Sequence, residues 1–166
     1  MLYFCQQTPI LKHSILNMKT TKIFLCALIV TFLSGCTSLT FQEKNTIRSL
    51  KSKGITVDKP VGPFDKPASG LTAGLLGILP GGGNFYLATG NGADSSQFVY
   101  GFINLLCWPI SVVWQIPQAV VDANTINHRE LVYFYTFDEG GVEALKEEGY
   151  TISNTGKLVE NKDKED

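Results

Sequence analysis

Hydrophobic residues gather in three runs, and the polar residues between them set the breaks. Ile23 to Leu33 has 11 residues, Leu71 to Leu79 is the second run, and Phe98 to Val121 has 24 residues without a formal charge. The second run continues through Pro80-Gly81-Gly82-Gly83-Asn84-Phe85-Tyr86-Leu87-Ala88, and Thr89 to Gln97 makes a polar turn before the third. The pattern predicts an apolar helical hairpin of two helices, the first bent at the Pro-Gly-Gly-Gly turn. Ala73, Gly74, Gly77 and Gly81 would give that first helix a small-residue face for close approach to the second.

The flanks carry shorter periodic segments. Phe41 to Lys53 predicts a helix with Ile47 and Leu50 on one face, stopped by Gly54. Ile55-Thr56-Val57 leads into a linker in which Pro60, Pro63 and Pro67 exclude a helix. Arg129 to Phe137 is β-branched and aromatic, which predicts a strand, with prolongation of the preceding helix as the alternative. A helix start lies at Thr136 to Glu139, a short helix runs from Val142 to Glu148 up to Gly149, and Tyr150-Thr151-Ile152 is a second strand. The charged tail from Lys157 to Asp166 lacks aromatics and is expected to be disordered. The expected class is mainly α, an apolar hairpin with short helical and strand flanks. Leu50 to Val57 also echoes Leu145 to Ile152: each is a helix end, a glycine and a short extended apolar patch. Convergent helix-stop chemistry accounts for the echo; the functional alternative is that both copies pack into one small aqueous subdomain.

The first run changes the picture of where the chain begins its work. It follows Met18-Lys19-Thr20-Thr21-Lys22, a short basic segment, and is far below the ~20 residues that cross a hydrocarbon core. After it, Leu33-Ser34-Gly35-Cys36 resembles the lipobox of bacterial lipoproteins. That resemblance implies a diacylglycerol on the Cys36 sulfur, cleavage just before Cys36 and acylation of the new amine. Residues 18–35 are then a signal peptide and residues 1–17 a mis-assigned start. The expected divisions of the mature chain are 36–67 (basic helix and linker), 68–128 (hairpin), 129–156 (strand and helix flank) and 157–166 (tail).

Charge sharpens the division. Losing Lys12, Lys19 and Lys22 leaves 11 Lys and Arg against 15 Asp and Glu, a net charge of −4, which argues against a nucleic-acid partner. Residues 67–128 carry only Asp94 and Asp122, whereas about a quarter of an ordinary domain is charged. Cys107 is the one cysteine left beside Cys36 and His128 the one histidine, so neither an intramolecular disulfide nor a zinc site is expected. No cofactor is implied beyond the covalent lipid.

Within the hairpin, Ala73 to Leu87 resembles the glycine-rich first helix of the two-transmembrane-helix domain family. Tyr100-Gly101-Phe102 to Leu106, Trp108-Pro109 and Trp114 are similar to its second helix. The match covers residues 71–127; Ala88-Thr89-Gly90 replaces the family's direct glycine, and Asn84 its usual basic residue. The resemblance implies a membrane hairpin and supplies no chemistry. Tyr86, Tyr100, Trp108 and Trp114 would suit the headgroup level. The positions on which that expectation rests are Pro80, Gly81, Gly82, Gly83, Phe85, Tyr86, Trp108, Pro109 and Trp114, beside the lipidation site Cys36.

Enzymatic readings find little to stand on. Pro80-Gly81-Gly82-Gly83 lacks the Gly-Lys-Ser/Thr of a phosphate loop. His128 has Asp122 and Glu130 nearby but no Ser or Cys nucleophile, and Cys107 lies in apolar sequence where a thiol is inert. Asn104, Gln115 and Gln118 fit hydrogen bonds across helices better than a pore. If both helices spanned, the loop Thr89–Gln97 would face the cytoplasm without a Lys or Arg. Thr37, rather than Asp, follows Cys36, which by resemblance to enterobacterial lipoproteins favours the outer membrane. The expectation is a non-enzymatic, lipid-anchored envelope protein with its hairpin in or under one leaflet, or packed in a small helical domain, and its flanks in the periplasm. Its partners would be membrane lipid and another envelope protein or a second copy; the alternative function is a lipoprotein that binds lipid or a small apolar ligand.

Overall fold

The chain divides into two units, Met1–Cys36 and Thr37–Asp166. The computed structural model describes residues 38–90 and 94–161, all within the second. The expected mis-assigned start (1–17), signal peptide (18–35) and lipidation site Cys36, and the end of the tail, lie outside the described residues.

The described chain is mainly helical: α1 (Phe41–Ser52), α2 (Gly70–Leu76), α3 (Gly82–Thr89), α4 (Ser96–Leu106), α5 (Val112–Phe137) and α6 (Glu139–Glu147), then β1 (Tyr150–Ile152) and β2 (Leu158–Glu160). Thr40 opens α1 with a capping box: Glu43 N donates to Thr40 Oγ1 at 3.2 Å, and Thr40 N donates to Glu43 Oε2 at 2.6 Å. These bonds satisfy two backbone donors that a helix start leaves orphaned. Gly54 and Gly149 stop α1 and α6 at φ 81° and 85°, where a side chain would be strained.

Both copies of the sequence echo feed one core. Leu50 and Ile55 from the first, and Leu145 from the second, pack with Leu131, Phe134 and Tyr135 of α5; Val57, Tyr150 and Ile152 cover them. Tyr135 fastens the proline-containing linker to this core, accepting from Val61 N at 2.7 Å and donating to Val61 O at 2.9 Å. The expected strand at Arg129–Phe137 is instead the second half of α5. Its β-branched and aromatic content favours a strand locally, but Leu131, Phe134 and Tyr135 at helical spacing all fill one core, and packing outweighs propensity. The tail begins with order too: β2 pairs antiparallel with β1, Ile152 opposite Leu158. A salt bridge of 2.9 Å from Lys53 to Glu160 ties β2 to the end of α1.

The apolar runs are cut finer than two helices. The expected hairpin of two helices, the first merely bent, is not formed: the first run folds as two separate short helices, α2 and α3. The second is interrupted between Leu106 and Val112, where Trp108–Pro109 is a cis peptide. Pro109 has no backbone N–H and restricts the residue before it, and the chain turns there, whereas Pro117 is accommodated inside α5; a continuous 24-residue helix does not form. No described helix is long and apolar enough to cross a membrane.

Candidate functional site

The helical layer formed by α2, α3, α4 and the first half of α5 distributes its side chains in an unusual way. On α4, Gln97, Gly101 and Asn104 are buried while Phe98, Val99, Phe102, Leu105 and Leu106 are exposed. On α5 and its N-cap, Ser111, Gln115, Ala119 and Asp122 recur on the buried face, whereas Val113 and Val121 face outward, as does Ile110 in the preceding turn. On α2, Ala73 and Gly74 are inside, and Leu71 and Leu75 outside. Leu106 is 84% exposed and Val113 80%, against 0% for Gln97, Gln115 and Asp122. Exposed apolar residues occur singly on any protein, but here large apolar groups stand outside on three helices at once, over buried amides on α4 and α5 and over Ala73 and Gly74 on α2.

Most of the buried polar groups satisfy one another. Asn84 of α3 is the hub: its Nδ2 donates to Gln97 Oε1 at 2.6 Å, and its Oδ1 accepts from Asn104 Nδ2 at 2.8 Å. Gln97 Nε2 donates to Asp122 Oδ2 at 3.3 Å. Trp114 Nε1 donates to Asn104 Oδ1 at 2.9 Å, and Ser111 Oγ to the Asn104 carbonyl at 2.8 Å. Gln115 Nε2 reaches the Leu79 carbonyl at 3.2 Å, while its Oε1 is buried without a partner. A bonded amide contributes modestly, but one left unpaired in this interior costs about 1–3 kcal/mol, so the network fixes a single arrangement of the four helices. The apolar remainder of the interior is small: Ala68, Ala73, Ala119 and Ala123 with Leu87 and Ile126.

Close approach explains the glycines. A methyl group on Gly77 would lie 3.2 Å from Ile116 Cα, and one on Gly83 would press on the Ala73 carbonyl and Ala119. Gly81 caps α3 at φ 73° with the Gly101 carbonyl against it. Pro80 and Gly81 thus close a packed turn between the two helices, and Gly82 and Gly83 open α3. Phe85 stacks edge-on with Phe102 (centroids 5.4 Å) and tilts against Phe98. Tyr86 Oη accepts from Ser69 N at 3.0 Å. Trp108 and Pro109 are exposed in the turn, while Trp114 is half-buried and belongs to the amide network.

The layer has two ends of different character. At one, the α2–α3 and α4–α5 turns come together through the Gln115–Leu79 bond; Ile78, Leu79, Leu106, Trp108 and Ile110 are exposed there. At the other, Asn127 holds Ala68 by two bonds of 2.9 and 2.7 Å, and Arg129 faces Asp94 at 3.5 Å and Glu43 at 3.6 Å. Burial raises the Asp94 carboxyl, but hydrogen bonds from Ser96 and the Arg129 charge outweigh it and leave the group below the ordinary range. His128 Nδ1 donates to the Asn124 carbonyl at 2.7 Å, a bond within its own helix. No group of three His, Cys, Asp or Glu side chains able to hold a metal forms among the described residues.

The sequence singled out Asn104, Gln115 and Gln118 as cross-helix hydrogen-bonding groups; the structure places Asn104 and Gln115 there, while Gln118, half-buried on α5, makes no such bond. The hydropathy pattern alone does not point to Asn84, which stands where the resembled family has a basic residue, or to Gln97, which ends the polar turn Thr89 to Gln97. The signal was present in the spacing: Gln97 and Asn104, then Ser111, Gln115 and Asp122, recur at intervals that keep one helix face. Comparison with protein-family models, curated proteins and solved structures found no match.

Proposed function

We propose that the protein is a non-enzymatic, lipid-anchored envelope protein whose apolar helical layer lies in one membrane leaflet while its flanks stand in the periplasm. The observation that carries the reading is the inverted layer, with bonded amides inside and large apolar side chains outside. In water such a surface is costly; in hydrocarbon both halves of the arrangement are favourable. The dimensions support one leaflet. From Val112 to Val121, ahead of Asp122, α5 rises about 15 Å, half of a ~30 Å hydrocarbon core. The turn carrying Trp108 and Ile110 would enter deepest, and Tyr86, Asp94 and Arg129 would lie toward the headgroups. The lipobox resemblance supplies the second anchor at Cys36, and the flanks are left to meet another envelope protein or a second copy. The alternative, a pocket for lipid or a small apolar ligand inside the hairpin, has less support because amides and alanines fill that interior.

The test is a Cys36→Ser form reconstituted with lipid vesicles. It should stay with the membrane after a carbonate wash, and brominated acyl chains should quench Trp108. A fully soluble, monodisperse Cys36→Ser form would remove the leaflet from the reading. Separately, mass spectrometry of the mature terminus should find a lipidated Cys36; an intact Met1 or Met18 would overturn the anchor.

A further inference from the structure

The second feature that invites an occupant lies in the flank half. A cleft of about 720 Å³ opens between the start of α1, the last turns of α5 and the β1–β2 turn. That size suits a small ligand. Its floor is tight: Gly156, at φ 75°, sits against α1 so closely that a methyl group there would meet Thr46 Oγ1 at 2.7 Å. Tyr133 and Phe137 form a ring pair at one side (centroids 5.4 Å), both more than half exposed. Gln42 and Asn154, both exposed, also line the cleft.

The chemistry of the cleft narrows its occupant. Arg129, the one cation among the described residues that line the cleft, is already engaged by Glu43 and Asp94, so an anionic ligand finds no uncommitted positive charge among them. A wholly apolar ligand would strip water from the hydroxyls and amides of the wall without replacing their hydrogen bonds, which is costly. A neutral polyhydroxylated molecule avoids both penalties. Its C–H faces lie on exposed rings, and its hydroxyls exchange bonds with planar amides that both donate and accept. We propose that this cleft binds a short stretch of neutral saccharide, with Tyr133 and Phe137 as the stacking platform and Gln42 and Asn154 as hydrogen-bonding partners. The cleft lies outside the apolar layer, so the proposal does not depend on leaflet insertion.

The experiment titrates the full mature chain in lipid nanodiscs with maltotetraose and with the tetramer of β-1,4-linked N-acetylglucosamine, followed by backbone amide NMR. At least one of the two should shift amides around Tyr133, Thr136 and Asn154. Tyr133→Ala and Asn154→Ala should each weaken that binding about tenfold or more, while Phe102→Ala, in the apolar layer, leaves it unchanged. Both flank substitutions are at exposed positions, and an unchanged amide spectrum elsewhere shows that the fold is intact. No shift with either sugar at millimolar concentration overturns the proposal, as does binding unaffected by Tyr133→Ala and Asn154→Ala. Tighter binding of decanoate or inorganic phosphate than of either sugar also overturns it.

Discussion

The two halves of this protein solve the same packing problem with opposite materials. Around Leu50, Ile55, Leu131, Phe134, Tyr135 and Leu145, large apolar groups are buried and charged residues stand outside. Around Asn84, Gln97, Asn104, Gln115 and Asp122, amides and a carboxyl are buried while leucines, isoleucines and phenylalanines stand outside. The flank core is held by removal of apolar area from water, roughly 25 cal/mol per Å². The layer core has little such area to remove, so directional bonds and glycine-permitted contact carry more of its cohesion. Hydrogen bonds and contact hold helices together when the surroundings are as apolar as the side chains. The contrast suggests a different solvent for each half.

Substitutions can break or sharpen that contrast. The largest effect is expected from Leu145→Ala, a truncation in the flank core, which should cost about 2–5 kcal/mol in chemical denaturation with lipid present. Asn104→Leu keeps the volume but strips partners from Asn84 and Trp114; it should cost about 1–3 kcal/mol although it makes the chain more hydrophobic. A stabilised Asn104→Leu protein would show that the layer interior is an ordinary core.

Tyr135→Phe leaves the Val61 N–H and carbonyl unpaired, a loss of about 1–3 kcal/mol at neutral pH. It also carries a pH signature. Burial raises the Tyr135 phenol, against the lowering effect of the Val61 bond. A raised folded pKa stabilises below the unfolded value near 10.0 and is lost as pH rises through the folded value, so the alkaline stability loss should shrink in Tyr135→Phe.

The double change Ile110→Ser and Val113→Ser should move folding in detergent by less than about 0.5 kcal/mol per site. The same change should lower vesicle binding of the Cys36→Ser form at least about tenfold. A folding loss as large as that of Leu145→Ala would mean these side chains are packed rather than outward. Smallest of all is Glu160→Gln, whose effect on the denaturation midpoint should fade in high salt because the Lys53 pair is exposed.

Much of the flank half was legible in sequence. Gly54 and Gly149 announced the ends of α1 and α6, and Tyr150–Ile152 is a strand as its composition predicts. For the second half of α5 the helix was only the alternative to a strand, because Val132, Tyr133, Phe134, Tyr135 and Thr136 have local strand preference and only the shared core decides for the helix. β2 was hidden in a charged tail: its three residues gain order from β1 and from Lys53, partners distant in sequence. The long apolar run concealed its break because hydropathy without periodicity carries no register, although Pro109 marked the place. Interior amides were harder still, since a polar residue in an apolar run is visible but its direction is not. Only spacing, from Gln97 to Asn104 and from Ser111 through Gln115 to Asp122, carries that information.

One helix belongs to both halves. α5 begins among exposed valines and ends inside the flank core, with Ile126 packed in one cluster and Leu131 in the other. Fraying at either end of this rod therefore removes supports from the other. If the bilayer holds the first turns of α5, it acts thermodynamically as a ligand of the folded state, and linkage makes the aqueous half sturdier whenever the layer is seated. Melting of the flank core would then report lipid thickness and composition without touching lipid itself.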